Sequence, residues 1–347
     1  MVEKISNNNA PVGEIPCQKM NPSSHTMSKK ELAKVAENEL GETKTTRTKA
    51  LKELREWIKS EGSRLDCLKD APDTFLLRFL RMQKTDVKKA SMVLNNYIRF
   101  RSNTPEWFED LDIKVSHHNM NQQFLYLVAK KYIKPNFNIY FSYYWIKNES
   151  ISELIRSGYL FVLPQRDASG RRVVFSRAGS LDASKFTAAD VMRVHLLTWE
   201  RLLLDEECQI NGLTYIMDEQ DANWSHITIW TPSEVTKAFQ CSEKSIPIRH
   251  RQVNFISLPW AMSLVFRFAK NLLSPKLRKR LFTWPDVDKI REFVPSSILP
   301  NEYGGKGGSV DEMIEAWHKE LEERSEDILA LESINSACAT HDITSNA

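Results

Sequence analysis

The first sustained apolar pattern in the chain begins at Arg47, where Ala50, Leu51, Leu54, Trp57 and Ile58 recur at helical spacing with Gly62 behind them as a stop. A helix of about three turns is predicted there. Pro72 and Asp73 then open a stretch in which Phe75, Leu76, Phe79 and Leu80 form one apolar stripe, with Arg78 and Arg81 off it. Met92, Val93, Tyr97 and Phe100 repeat the theme after Thr85, so residues 47–103 read as a small helical unit. Upstream, residues 1–46 are rich in Asn, Ser, Thr, Lys and Pro with hardly an aromatic. That composition buries too little surface to offset chain entropy, and a disordered tail is expected.

Strand-like runs appear only later, at residues 159–163, 172–175, 214–217 and 253–257, each short and rich in β-formers. Helical patterns lie between and after them at 188–207, 233–242 and 260–273. Strands alternating with helices over this span give an α/β sheet domain behind the helical bundle. Residues 310–334 form a helix with nine acids and two bases, followed by a polar tail. The expected organisation is a tail (1–46), a helical domain (47–114), an anomalous insertion (115–150), a sheet domain (151–308), an acidic helix (309–334) and a second tail (335–347).

The insertion fits neither period. Residues 124–145 hold nine of the chain's 34 aromatics, and Phe, Tyr, Ile, Asn and Lys, which share AT-rich codons, supply 20 of residues 115–149. Val115-Ser116 is compatible with a splice-donor-like hexamer. Two readings stay open: a retained intron or gene-model error, and a true insertion such as a lid. Amplifying the mature transcript across codons 110–155 decides between them, since a product with the full insert ends the intron reading.

Net charge over 347 residues is +3, which as a total draws the protein to neither nucleic acid nor membrane. No basic-then-apolar leader opens the sequence, and no run of about 18 apolar residues occurs. The five cysteines (Cys17, Cys67, Cys208, Cys241, Cys338) are odd in number and scattered, which argues for reduced thiols and a cytoplasmic protein. Signatures of catalysis are scarce: HExxH, GxSxG and the phosphate-loop motif are missing, and the eight histidines have no metal-ligand spacing. Asp218 and Glu219 sit just past an apolar strand, where acid or base groups could lie, but no partner completes a pair. Gly304, Gly305, Gly307 and Gly308 read as a turn ending the sheet domain, because no strand precedes them. No enzyme, cofactor or metal is expected.

The charge total conceals a polarised chain. Residues 249–280 carry eight bases (Arg249, Arg251, Arg267, Lys270, Lys276, Arg278, Lys279, Arg280) and no acid, leaving −5 for the other 315 residues. Between those bases lies a helix with two apolar faces, Ala261, Val265, Phe268 and Leu272 on one and Met262, Phe266, Ala269 and Leu273 on the other. One face can cover the core or an apolar ligand. The other, flanked by bases, suits an anionic membrane surface, and a helix buried on both sides is the plain alternative. Wedge-like Val, Leu and Phe side chains fit a bilayer better than a nucleic-acid groove.

Five blocks in order, DTFLLRFLR (73–81), LFVLPQRDASGRRVVFSRAG (160–179), EECQINGLTYIMD (206–218), ISLPW (256–260) and ILPNEYGG (298–305), resemble the CRAL-TRIO lipid-binding family, above all its tocopherol- and retinaldehyde-binding members. The likeness runs from about residue 47 to 332 outside the insertion. It implies a helical bundle and a sheet floored by helices around one hydrophobic ligand, with a mobile gate helix at residues 257–273. The tocopherol-binding member's pocket positions fall on Met192, His195, Trp199, Leu213, Tyr215, Met217, Ala238, Cys241, Ile246, Ile248 and Val253. His195 and Trp199 stand where that member has small serines, which puts tocopherol in doubt and makes a smaller isoprenoid such as a retinoid as good a cargo. The family's phosphoinositide-binding positions match Arg249, Arg251, Lys276 and Arg280, while Trp224, Val265 and Phe268 match membrane-facing ones. The implied function is a monomeric carrier of a hydrophobic lipid that exchanges its cargo at phosphoinositide-bearing endosomal or plasma membranes. The alternative is a phosphoinositide- and lipid-sensing module without net transfer.

Overall fold

The computed structural model describes residues 27–108, 111, 113, 150–291 and 294–331, with the backbone alone at 261, 264, 265, 268 and 329. The insertion therefore lies outside the described residues apart from Ser150, as do residues 1–26 and the second tail. Four helices come first: α1 (Lys29–Leu40), α2 (Lys44–Ser60), α3 (Asp73–Met82) and α4 (Val87–Asn103). Helix α1 corrects the expectation of a tail reaching residue 46. Ser28 and Glu31 form a reciprocal capping box at its start, and Gly41 closes it in the left-handed region at φ 68°. Leu32, Ala36 and Leu40, four apart, bury one face against Ile210.

Five strands form one sheet in chain order: β1 (Leu160–Arg166), β2 (Arg172–Arg177), β3 (Leu213–Asp218), β4 (His250–Ile256) and β5 (Leu281–Trp284). Strands β1 and β2 pair antiparallel, and the remaining pairs are parallel. The crossovers carry α5 (Ala188–Leu203), α6 (Glu206–Asn211), α7 (Pro232–Gln240) and α8 (Trp260–Leu272), and α9 (Val310–Glu323) packs on β1 through Met313, Ile314, Trp317 and Leu321. Strand β5 is not among the four predicted from sequence, because only four residues separate the basic run from Pro285. The glycine run is a turn, as expected. A Cβ on Gly305 would lie 2.0 Å from the Leu299 carbonyl oxygen, and one on Gly307 would lie 2.8 Å from that of Ile298.

The bundle is tied to the sheet domain by charge as well as by apolar packing. Arg78 and Arg81, which the sequence places off the apolar stripe, are buried. Arg81 donates to Glu42 at 2.7 and 2.8 Å, to Glu206 at 2.6 Å and to Gln209 at 2.8 Å. On α5, Glu200 accepts from Arg78 at 3.1 Å, from Arg101 at 3.0 Å and from the Tyr97 hydroxyl at 2.7 Å. Every member of this network needs the others, since a buried guanidinium or carboxylate left alone is costly. Cys208 and Cys241 are free and buried, but Cys67 is disulfide-bonded, so the expectation of reduced thiols fails at that residue. Cysteine spacing along the chain does not reveal which residues the fold brings together.

Candidate functional site: an apolar cavity and its basic neighbour

A cavity of about 490 Å³ opens at the C-terminal ends of β2 and β3. Open α/β sheets bind ligands in the crevice at this end of their strands. Ser176 of β2, Met217 of β3 and Tyr159 form its floor. Trp230, Pro232 and Val235 contribute one wall, and Met262, Ala269 and Leu272 of α8 the other. Strand alternation puts Leu213, Tyr215 and Met217 on one face of β3, and Phe255 is in register with Met217. The Phe255 ring meets Phe266 of α8 edge to face at 4.7 Å, which holds the helix over the floor.

Of the two apolar faces expected on α8, the one bearing Met262 and Ala269 turns inward to the cavity. Leu272, from the other face, also reaches the cavity edge, while the side chains of Ala261, Val265 and Phe268 lie outside those described. Trp260 at the start of α8 is 84% exposed, and Trp224 is 60% exposed. Each lies within three residues of a cavity-lining residue, Met262 and Ile227 respectively.

Among the eleven expected ligand positions, only Met217 lines this cavity. Met192, Leu213, Cys241, Ile246 and Ile248 are closed into the core, and Ala238 and Val253 pack against it. The remaining positions explain why. His195 and Trp199 pack ring to ring at 5.7 Å, Trp199 meets His250 at 5.8 Å, and His250 meets Tyr215 at 5.3 Å. This column of rings fills the space that smaller side chains would leave open. It is pinned by hydrogen bonds: Tyr159 and His195 share one at 3.1 Å, and His250 has Tyr215 at 2.8 Å on Nδ1 and the Ser242 carbonyl at 2.9 Å on Nε2. Burial pushes His195 and His250 down to about 4, so both rings are neutral at physiological pH. With Nε2–H given to the carbonyl, His250 Nδ1 accepts from the tyrosine. The sequence marked His195 and Trp199 as departures; it did not mark Glu219, Trp230 or Val235 as lining residues.

The four expected phosphoinositide positions do come together, with Arg171 and Lys84 beside them. Partial shielding from water lowers the affinity of Lys276 for its proton, and the nearby charges of Arg280, Arg249, Lys84 and Arg251 lower it further. Arg280 is lowered by burial, then by Arg251 and Arg171. Cations crowded enough to depress one another form a site that gains from an anion. The four are not equivalent. Arg249 is 8% exposed, its guanidinium donates to the Ile210 carbonyl, and burial pushes it down to about 10. Arg280 donates to the His250 carbonyl, and Lys276 is exposed. From α1, Glu39 reaches over to pair with Arg251 at 3.0 Å and Arg249 at 3.4 Å. Sequence reading assigned that stretch to a tail and missed this internal carboxylate.

Residues 156–305 match the CRAL/TRIO domain, and residues 43–118 match the Pinta-like, UBA domain, which leaves residues 119–155 between the two matches. The chain is 29% identical over 282 residues to a human protein described as alpha-tocopherol transfer protein-like, covering 81% of this chain and 72% of that one. It is 25% identical over 234 residues to human Clavesin-2, covering 67% and 62% respectively. It also aligns with the crystal structure of Sfh5 at a TM-score of 0.46 and 13% identity, over 78% of this chain and 92% of that one.

Proposed function

We propose that this chain, which belongs to the CRAL-TRIO family, carries a small hydrophobic lipid in the cavity beneath α8 and exchanges it at phosphoinositide-bearing membranes. The observation that carries the reading is the cavity itself. Its volume of about 490 Å³ falls in the range of small-molecule sites, roughly 300–1,000 Å³, and its walls are mostly apolar. Burial at about 25 cal/mol per Å² holds an isoprenoid-sized ligand firmly, so release needs a second apolar surface in place of water. A membrane supplies one. Among the described residues no helix is long and apolar enough to cross a bilayer, so contact would be peripheral.

Release would require α8 to move, since Met262, Ala269 and Leu272 close one side of the cavity. Exposed Trp260 at its N-terminal end suits the headgroup region, where indole rings settle. The basic cluster would grip the phosphates of an inositol headgroup, Arg251 by a bidentate fork and Lys276 as a point charge. The test is lipid movement between two vesicle populations. The chain is expected to transfer a fluorescent isoprenoid, faster when the acceptor contains phosphatidylinositol bisphosphate; binding to both partners without net movement would instead establish the sensing module.

Glu39 makes a second expectation specific to this chain. It occupies the arginine positions that a phosphate would need, so the headgroup must displace it. Glu39→Ala is expected to tighten binding to phosphoinositide vesicles by roughly two- to fivefold, the modest effect proper to a half-exposed pair. Vesicle co-sedimentation measures it, and weakened binding would show that Glu39 builds the site instead of competing for it.

A further inference from the structure

Two adjacent acids follow the same strand and have different fates. Asp218 ends β3 with its carboxylate satisfied: Oδ2 accepts from the Tyr303 hydroxyl at 2.6 Å and Oδ1 from the Gln220 backbone at 3.0 Å. Glu219, the next residue, has its backbone N–H fixed to the Ile256 carbonyl at 3.0 Å and its side chain in the cavity wall beside Tyr159 and Met217. Among the described residues its carboxyl has no hydrogen-bond partner.

Three other polar groups that line the cavity, His226, Thr236 and Tyr159, are already committed. His226 accepts from the Asn223 backbone on Nδ1 at 3.1 Å and gives Nε2–H to the Leu181 carbonyl at 3.1 Å. The Thr236 hydroxyl donates to Pro232, and the Tyr159 hydroxyl is held by His195. A carboxyl half-buried in a mostly apolar cavity wall, with no protein group to pair with, is completed by water or by a ligand, and a ligand that expels the water has to replace its bond. Burial and the neighbouring charge of Asp218 push Glu219 up to about 7, so near neutral pH it is present in both forms.

We propose that Glu219 is the polar anchor of the cavity and selects lipids whose head group donates a hydrogen bond, an alcohol above all, over carboxylate lipids with the same tail. This rests on the reading of the cavity as a lipid site. An alcohol donates to the carboxylate, and such charge-assisted bonds are the strong ones in an apolar surrounding. A carboxylate head would place a second negative charge beside the first where water cannot screen it. A hydrocarbon head would displace water from Glu219 and leave it unpaired.

The test uses the full chain, freed of lipid, and two matched pairs of probes: all-trans-retinol with all-trans-retinoic acid, and hexadecanol with hexadecanoic acid. The wild-type chain is expected to bind the alcohol of at least one pair about tenfold more tightly than the acid. Glu219→Leu is expected to abolish that preference by weakening the alcohol and strengthening the acid. Glu219→Gln, which keeps the shape and a carbonyl acceptor without the charge, is expected to recover acid binding while retaining part of the alcohol affinity. A wild-type preference for the acid, or the same alcohol-to-acid ratio in Glu219→Leu as in the wild type, overturns the anchor while leaving the carrier reading intact. If the wild-type chain binds neither pair, the carrier reading falls and the anchor with it.

Discussion

Glu200→Leu is expected to lower the free energy of unfolding by about 3–5 kcal/mol, enough to unfold a marginal domain. The size follows from what remains. Glu200 is 0% exposed and is the shared acceptor for Arg78, Arg101 and Tyr97, so its loss takes the carboxylate from two buried guanidinium groups and leaves Arg101 with the Tyr97 hydroxyl at 2.7 Å but without its counter-charge. Water cannot reach them without opening the contact between the bundle and α5. Aromatic faces soften the loss: Arg101 lies 4.6 Å from the Phe108 ring centroid and 5.1 Å from that of Tyr97, and Arg78 lies 5.3 Å from that of Phe75. These cation–π contacts supply part of the compensation and set the estimate at the lower end of what a fully isolated charge would cost. Urea titration measures the change, with Lys52→Ala as control, because the Lys52–Glu56 pair at 3.9 Å is exposed and worth less than about 1 kcal/mol. A shift for Glu200→Leu no larger than that of the control would mean that the apolar interface alone joins the two parts.

The same network shows where sequence reading stops. Phe75, Leu76, Phe79 and Leu80 announce a helix by their spacing, and the helix is there. Their spacing carries no information about Arg78 and Arg81, since the partners of these arginines stand 39 to 128 positions away. Charge leaves no periodic trace when its complement comes from a distant element, and a long cation between apolar residues looks the same whether it faces solvent or a buried carboxylate. Helix α1 is a different case. Ser28 with Glu31, then Leu32, Ala36 and Leu40, is a capping box ahead of an apolar stripe, a local signal outweighed by the polar composition around it.

Legibility at the candidate site divides the same way. The period-two run Leu213, Tyr215 and Met217 marks a strand face, but which member meets the cavity depends on how far the His195, Trp199, Tyr215 and His250 rings fill the space beneath α8. Even the register contributes, because the irregularity between Leu213 and Thr214 allows His250 to reach the Tyr215 hydroxyl. Side-chain volumes are written in the sequence; their stacking order is set by the tertiary fold. The basic cluster was visible as a run of charge over residues 249–280, yet Arg171, Lys84 and Glu39 join it from three other segments.

That asymmetry within the cluster determines which variant tests it. Arg251→Ala with Lys276→Ala is expected to weaken binding to phosphoinositide vesicles by at least about 2 kcal/mol, roughly thirtyfold, and to leave cargo affinity within about twofold. Arg249 is the poorer choice: its guanidinium is buried and bonded to Ile210, so its removal would damage the fold and confuse the result. Arg280 is compromised in the same way by its bond to the His250 carbonyl. Lys276, by contrast, is exposed, and the ion-pair partner of Arg251 is Glu39, which a phosphate can replace. Each of the two cations contributes about 1 kcal/mol near an anionic surface, and the loss grows where their crowding is relieved only by the bound anion. Raising salt from low to physiological concentration should narrow the gap between wild type and variant, since screening acts on the exposed member of the pair. Co-sedimentation with bisphosphate-containing vesicles, run beside cargo titration and thermal melting, separates the outcomes. Unchanged vesicle binding removes the site, and lost cargo affinity with a lowered melting temperature would show these cations to be part of the scaffold that holds β4 to the N-terminal helices.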